Sequence, residues 1–301
     1  MYTRRIIIFM AEANISVVVA CMNRGYHLQI TLPGFLALPF VNEVIVVDYN
    51  SKEPFSRSCT TTDDRLRIQR VEGAEFWSLS RAYNLGIALA RYSTVFKVDA
   101  DMFIDNRLFL LSLDLLSDGV FISGNPFGIG GPLLVSKGDF ERSGCYNQNL
   151  LGWGFEEVDL YRRLRENGVR QKIFQGSLFR TIPHDDSQRN SSFGEKHGAG
   201  LTSSALKELT NLSNCFTSII FPSRLSLTDV LAATSARFNG SDHFLLDLLD
   251  FSFPAKLSSA FIERIRQEIK GDTPPYIINI ILDSINRERS LYESLVNIDN
   301  S

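Results

Sequence analysis

The chain has 301 residues, with 31 lysines and arginines against 34 aspartates and glutamates, so its formal net charge is −3 at pH 7. A chain of this length can bury a large core without disulfides or structural metal ions. Because the charge is nearly balanced, no overall field attracts nucleic acid, and we expect no nucleic-acid partner.

The four cysteines, Cys21, Cys59, Cys145 and Cys215, lie far apart and form no C-x-x-C pair. This spacing predicts neither a zinc cluster nor a disulfide framework. The apolar run near the first residue is broken around Glu12, before it reaches the length of a signal peptide. No segment approaches the roughly 18 apolar residues of a membrane span. We therefore expect reduced thiols and a cytoplasmic location, with peripheral membrane contact left open.

Along the first 200 residues, β-branched runs alternate with helical patterns, which is typical of parallel strands joined by crossover helices. Strands are predicted at residues 15–20, 43–48, 67–71, 94–98, 119–123 and 133–136, with a strand-like run at 171–174. Helices are predicted at 80–91, with Ser80 as the N-cap, and from about 155 to 167, where Gly168 ends the helix. The pattern indicates an α/β fold with a mostly parallel sheet.

From about residue 205 the strand patterns give way to helical ones. We therefore predict a catalytic domain at residues 1–204 and a helical C-terminal extension at 205–301. The segment 277–285 has apolar residues at helical spacing. It could cover the main domain, pair with a second copy of the chain, or rest on a membrane surface.

Two aspartates, Asp99 and Asp101, follow the apolar strand at 94–98. In open α/β sheets ligands bind beyond the carboxyl ends of the strands, so these side chains are expected to face a site. Carboxylates are suitable ligands for Mn²⁺ or Mg²⁺ bound to a diphosphate. The neutral imidazole of His184 could complete the coordination of such an ion.

Residues 152–157 read Gly-Trp-Gly-Phe-Glu-Glu at the start of a predicted helix. The glycines allow a sharp turn that leaves Trp153 free to stack on a ligand. Glu156 and Glu157 lie in the first helical turn, which the helix dipole favours. One acid can hold a substrate hydroxyl while its neighbour accepts a proton, although an ordinary acidic helix start beside a core tryptophan would read the same.

Polar residues also follow the first two predicted strands. Asn23 and Arg24 come after the first strand, and Asp48 ends the second. Because neighbouring strand ends meet at one edge of the sheet, these side chains could grip a base and a ribose.

This ordered set of motifs resembles the inverting glycosyltransferases of the family 2 type, within them the galactosyltransferase and chondroitin-polymerase-like branch, over residues 14–190. The resemblance implies a GT-A fold, a UDP-sugar donor, Mn²⁺ or Mg²⁺, and single-displacement transfer with inversion. The residue roles that it implies are these: Asp48 contacts the uridine, Arg81 and Asn84 lie near the nucleotide, Asp99 faces the ribose or the metal, Asp101 and His184 bind the metal, Trp153 and Glu156 hold sugar, and Glu157 is the general base.

Two departures from the pattern leave questions open. The second acid of the Trp-Gly motif is usually aspartate, so the base could be Glu156 or Glu157. Tyr49 replaces a second aspartate after the second strand, which leaves the recognition of uracil open. The donor sugar, a hexose or an N-acetylhexosamine, and the glycan or glycoconjugate acceptor are not fixed by the sequence, and neither is a homo-oligomeric state.

Other functions fit the residues less well. A sugar-phosphate nucleotidyltransferase would have a glycine-rich loop after the first strand, where residues 20–25 contain one glycine. A phosphatase of the D-x-D-x-T type would need threonine where Phe103 stands. A catalytically inactive carbohydrate- or nucleotide-binding relative would have lost its acids, and both acidic motifs are intact.

Overall fold

The computed structural model describes residues 14–74, 77–124, 129–150, 154–183, 211, 214–215, 217–218 and 222–237. Within this part the strands are β1 Ile15–Cys21, β2 Val41–Tyr49, β3 Leu66–Val71, β4 Thr94–Asp99, β5 Met102–Ile104, β6 Val120–Ser123, β7 Leu133–Ser136, β8 Arg170–Ile173 and β9 Phe179–Thr181. The helices are α1 Gly25–Leu36, α2 Phe55–Ser58, α3 Leu79–Leu89, α4 Asn106–Leu113, α5 Lys137–Arg142, α6 Glu156–Glu166 and α7 Leu227–Arg237, with a 3-10 turn at Gly176–Leu178.

The main sheet has the strand order β3-β2-β1-β4-β7-β6-β8. Only β7 pairs antiparallel to its neighbours, β4 and β6, and the other pairs are parallel. The mostly parallel sheet predicted from the sequence is therefore confirmed. Because β1, β2 and β4 are adjacent and parallel, the polar residues at their carboxyl ends meet at one edge.

Hydrophobic clusters cover both faces of the sheet, because successive side chains of a strand point to opposite sides. Val17 and Val19 pack in the cluster that α1 and α4 cover. Val18 packs in the opposite cluster, which α3 and α6 cover. This explains why the central strand β1 is buried along its whole length.

Two local features differ from the sequence prediction. Helix α3 begins at Leu79, and its N-cap is Ser78, whose hydroxyl accepts a hydrogen bond from the backbone N–H of Arg81 at 3.3 Å. The predicted cap, Ser80, is buried inside the helix. Helix α1 was not predicted, because Pro33 and Gly34 near its end interrupt the helical pattern.

A small antiparallel sheet joins the loop of the two aspartates to a distant segment. Strand β5 pairs with β9, with Met102 opposite Thr181. The pairing continues outward, since the N–H of Ile182 donates to the carbonyl oxygen of Asp101 at 2.8 Å. The chain therefore passes beside Asp101 two residues before His184, which lies outside the described residues.

The segment before α7 packs on the sheet domain. Ser223 Oγ donates to the carbonyl oxygen of Gly144, and the N–H of Leu227 donates to Glu141 Oε1 at 3.0 Å. Leu227 is buried in the same cluster as Phe140. The predicted boundary at residue 204 and the segment 277–285 lie outside the described residues, so the division into domains stays a prediction.

Membrane-spanning helices were sought in the same part of the chain. Every helix there is too short or too polar to cross a bilayer.

Candidate active site

Three loops meet at the carboxyl edge of the sheet. The N–H of Asn23, after β1, donates to Ser51 Oγ, after β2, at 2.9 Å. Arg24 Nη1 lies 3.7 Å from Asp101 Oδ2, after β4. The structure thus places Asn23 beside Ser51 and Arg24 beside Asp101 at this edge, and the binding roles of these residues stay predictions.

Asp48 is fully buried under this edge. Its Oδ1 accepts the N–H of Ser51 at 3.1 Å, while Oδ2 accepts the N–H of Phe55 at 2.9 Å and Arg70 Nη1 at 2.8 Å. These bonds hold the loop after β2 in place. Contact of Asp48 with a uridine stays a prediction.

The two residues of α3 expected near the nucleotide differ in exposure. Asn84 is fully buried and exchanges two hydrogen bonds with the backbone of Tyr146, at 2.8 and 2.9 Å. It fixes the loop that carries Tyr146. Arg81, in the first turn of α3, is partly exposed. The nucleotide roles of both residues stay predictions.

Lys97, in β4, was not predicted from the sequence, and it joins the two acidic motifs. Its side chain is 1% exposed, and its Nζ lies 3.0 Å from Asp99 Oδ1 and 3.1 Å from Glu157 Oε1. The same ammonium donates to the carbonyl oxygen of Gly131 at 2.8 Å. The sequence did contain a signal, because Lys97 lies inside an otherwise apolar strand. A buried charge requires partners, so such a lysine indicates a buried ion pair.

The charge of Lys97 is maintained by its neighbours. Burial alone would lower the pKa of the ammonium, but the charges of Asp99 and Glu157 outweigh burial and raise the pKa well above its usual value. The Tyr83 ring adds a cation–π contact, with Nζ 4.6 Å from the ring centroid. The site therefore contains a permanent buried cation.

Tyrosines line the buried side of this cation. The hydroxyl of Tyr83 lies 3.0 Å from Asp99 Oδ1, and that of Tyr161 lies 3.3 Å from the carbonyl oxygen of Gly130. The hydroxyl of Tyr146 has no hydrogen-bond partner among the described residues. Burial raises the pKa of all three tyrosines well above the usual value, so their hydroxyl groups are neutral.

The two glutamates of α6 lie in different environments. Glu156 is 1% exposed, and its Oε2 accepts the N–H of Gly154 at 2.8 Å. Burial first, and the charge of Glu157 second, raise the pKa of Glu156 to about 8. The side chain of Glu157 is 22% exposed. Glu156 is thus largely protonated at neutral pH, and Glu157 is the acid that solvent can reach.

A divalent cation fits the chemistry of Asp101 better than that of Asp99. Asp99 Oδ1 already faces the Lys97 ammonium at 3.0 Å, whereas in the described part of the chain Arg24 Nη1 lies farther from Asp101 Oδ2, at 3.7 Å. Among the described residues, no three histidine, cysteine, aspartate or glutamate side chains form a group that could hold a metal ion. Both His184 and Trp153 lie outside those residues, so their roles stay predictions.

Comparisons with known proteins found one family-model match and several similar solved structures. Residues 124–185 match a family model described as the N-terminal domain of galactosyltransferase. No match was found among curated protein sequences. Among solved structures, a Pyrobaculum calidifontis mannosyltransferase in complex with GDP-Man and Mn²⁺ is 12% identical, with a TM-score of 0.52 over 97% of this chain and 90% of that chain.

Two further solved structures are similar over shorter stretches. The catalytic domain of Drosophila β1,4-galactosyltransferase 7, in complex with xylobiose, is 16% identical over 58% of this chain and 72% of that chain, with a TM-score of 0.45. Glucosyl-3-phosphoglycerate synthase from Mycobacterium tuberculosis, with Mn²⁺, UDP and phosphoglyceric acid, is 15% identical over 70% of this chain and 82% of that chain, with a TM-score of 0.49.

The matched galactosyltransferase segment contains α6 and both of its glutamates. The mannosyltransferase shares the fold over nearly the whole length of the chain. The chain is a glycosyltransferase of the GT-A type.

Proposed function

We propose that this glycosyltransferase moves a hexose or an N-acetylhexosamine from a UDP-sugar to a hydroxyl of a glycan or glycoconjugate, with inversion and with the help of Mn²⁺ or Mg²⁺. The observation that carries the proposal is the Lys97 ammonium, 3.0 Å from Asp99 and 3.1 Å from Glu157. A single displacement needs the donor-binding acids and the base on either side of one reacting carbon, and this contact supports that arrangement.

Glu157 is the general base in this proposal. Its Oε1 is held by Lys97, while Oε2 makes no hydrogen bond to any described residue and can accept the proton of an acceptor hydroxyl. Glu156 is a poor base at neutral pH, because burial keeps its carboxyl group largely protonated. It instead supports the turn at Gly154, and in this proposal it holds a sugar hydroxyl together with Trp153.

Lys97 keeps the geometry fixed while charge moves. When Glu157 accepts a proton, the pair with Lys97 weakens, but the ammonium retains Asp99 and the carbonyl oxygen of Gly131. The base therefore does not need to be repositioned before the proton leaves. Fixed groups of this kind lower a barrier because they are already oriented when the reaction begins.

Asp101 and His184 would hold the metal ion, with Asp99 toward the ribose. When bound, the ion would neutralise the diphosphate as it leaves. The partly exposed Arg24 lies beside Asp101 and can add a second positive charge near the same phosphates. The nucleotide pocket would be shaped by Asn23, Asp48, Arg81 and Asn84. Asp48 and Asn84 would act through the loops that they hold in place.

The decisive experiment is a transfer and donor-hydrolysis screen with UDP-galactose, UDP-glucose and their N-acetyl forms, in Mn²⁺ or in EDTA. Wild type is compared with Asp101→Ala, Glu157→Gln and the control Glu166→Gln, at the other end of α6. We expect one donor to release UDP only when metal is present. The rate should fall at least 100-fold in Asp101→Ala and in Glu157→Gln, and the control Glu166→Gln should keep the wild-type rate. Retention of the anomeric configuration, or full activity of Glu157→Gln, would contradict the proposal.

The location that we propose is the cytoplasm. All four cysteines are free, and three of them, Cys21, Cys145 and Cys215, are buried. A reducing compartment suits such thiols. Cell fractionation of the expressed protein tests this point.

A further inference from the structure

The turn before α6 has a backbone that needs support from outside. Gly154 has φ +114°, and the N-cap residue Phe155 has φ +75° with no side-chain capping bond. A non-glycine residue in the left-handed region is strained. Such a turn persists only where the surrounding structure holds it in place.

This support comes from a segment far along the chain. Asn214 is 2% exposed, and its Nδ2 donates to the carbonyl oxygen of Gly154 at 2.8 Å. A Cβ atom at Gly154 would overlap the side chain of Asn211, so the segment lies directly against the glycine. Gly154 is therefore held at both ends, its N–H by Glu156 and its carbonyl oxygen by Asn214.

The segment that carries Asn214 is itself anchored. Cys215 and Ser218 are buried, and Ser218 Oγ donates to the carbonyl oxygen of Cys215 at 2.8 Å. Asn214 thus lies in a segment whose neighbouring side chains are buried as well. The hydrogen bond thus transmits the position of the segment to the start of α6.

We propose that Asn214 is a positioning residue for the transfer reaction, holding the Gly154 turn so that Glu156 stays buried and Glu157 stays directed at the acceptor. This inference rests on the proposed function. Asn214 acts through Gly154. Because a displacement of about 1 Å at a reacting group can cost 10²-fold in rate, we expect its loss to lower kcat by about 10- to 100-fold. The KM for the donor should change little, since the aspartates proposed to bind the donor side lie at the end of β4 and just after it.

The kinetic test compares Asn214→Asp with the matched control Asn167→Asp. Asn167 Nδ2 makes an equivalent bond, 2.8 Å to the carbonyl oxygen of Arg163, at the opposite end of α6. The substitution at 214 removes the donor and sets a carboxylate against a carbonyl oxygen. A fall in kcat at position 214 and not at 167 supports the inference, and equal kcat values in both variants would overturn it.

A second readout does not depend on turnover. The chain has two tryptophans, and in a Trp77→Phe background the fluorescence reports on Trp153 alone, directly before Gly154. We expect Asn214→Asp to shift the Trp153 emission and its quenching by acrylamide, and Asn167→Asp to leave both unchanged. If the wild type transfers no sugar, the proposed function fails, while this measurement still decides whether Asn214 holds the Gly154 turn.

Folding is checked by circular dichroism. If Asn214→Asp does not fold, Asn214→Ser carries both readouts, because the shorter side chain removes the bond without adding charge. If a folded variant at position 214 has the wild-type Trp153 emission and the wild-type kcat, the inference is wrong.

Discussion

At the scale of single residues, the site depends on a lysine that a protein of this size would ordinarily keep at its surface. Lys97 is tolerated inside β4 because two carboxylates, a carbonyl oxygen and an aromatic ring surround its ammonium. The partners come from two motifs that are far apart in sequence. The lysine is therefore part of both the fold and the chemistry.

Replacing Lys97 with methionine should destabilise the protein by about 3 kcal/mol, at the lower end of the cost of breaking a buried ion pair because Asp99 and Glu157 are partly exposed. Urea unfolding followed by circular dichroism measures the loss. Lys172→Met, at an exposed position of β8 in the same sheet, is the control and should change the free energy of unfolding by less than about 0.5 kcal/mol. Equal stability of the two variants would refute the role of Lys97 in the fold.

The protonation of Glu156 predicts how stability depends on pH. Its pKa is raised from 4.5 to about 8 in the folded protein, so the native state binds this proton more tightly than the unfolded chain. The resulting stabilisation is fully present below about pH 4.5 and is lost as the pH rises through about 8. In Glu156→Gln the side chain at position 156 is neutral at every pH, so this variant does not lose the corresponding stability as the pH rises.

We therefore expect the melting temperature of Glu156→Gln, relative to wild type, to rise from about pH 5 to about pH 8 and to level off above that. Thermal unfolding across that range measures the difference. In Glu166→Gln, at the exposed end of the same helix, the difference from wild type should stay nearly constant. A flat difference for Glu156→Gln would mean that this carboxyl group is ionised in the folded protein.

At the scale of secondary structure, helix α3 sits unusually close to the sheet because of Gly86. A Cβ atom there would overlap the side chain of Val18 and lie 3.0 Å from Val47 Cγ2. Gly34, in α1, has no atom within 4 Å of the corresponding position. The two helical glycines thus serve different purposes.

Gly86→Ala should lower the free energy of unfolding by about 1–3 kcal/mol through overpacking. Gly34→Ala should raise it by about 0.5–1 kcal/mol, because alanine is the better helix former and meets no neighbour. Thermal and urea unfolding of both variants measure whether each substitution raises or lowers the free energy of unfolding. Stabilisation by Gly86→Ala would show that α3 can move away from the sheet at little cost.

The elements that could be predicted are those whose signal is local. The β-branched runs of β1, β2 and β4 identify buried strands, and the acidic start of α6 identifies that helix. Helix α1 was not predicted because Pro33 and Gly34 interrupt its helical pattern. Strands β5 and β9 are too short to show a periodic pattern. Their pairing depends on tertiary contacts that a local pattern does not contain.

The same distinction holds for the candidate site. The aspartates after β4 and the glutamates of α6 could be named in advance, because their motifs are contiguous. Lys97 was detectable as a charge in an apolar strand, but its partners were not. Asn214 had no signal at all, since its contact with Gly154 joins segments that share no motif.

At the scale of the whole molecule, the described part of the C-terminal region belongs to the packed structure. Leu225 and Leu227 pack in the cluster that covers one face of the sheet. A chain of residues 1–204 would leave the surface beneath them exposed. It should be less stable than residues 1–237 by about 3–6 kcal/mol, at about 1.5–3 kcal/mol for each of the two buried side chains, Leu227 and Val230.

Urea unfolding of the two truncated chains checks this, with the full chain as reference. Unfolding of both at the same urea concentration would show that residues 1–204 form an independent domain. A lower urea midpoint for the shorter chain would instead show that α7 belongs to the same folding unit as the sheet.

The order of the strands also governs how the chain reaches its native state. Strand β1 lies at the centre of the sheet, and Val18 pairs with Ile45 on one side and with Lys97 on the other. During synthesis, the backbone N–H and C=O groups along one edge of β1 therefore have no strand partner until β4 has been made. Contacts so distant along the chain slow folding, and a waiting strand edge invites pairing with other chains. The same strand that anchors the finished enzyme is thus its main aggregation hazard while it is being made.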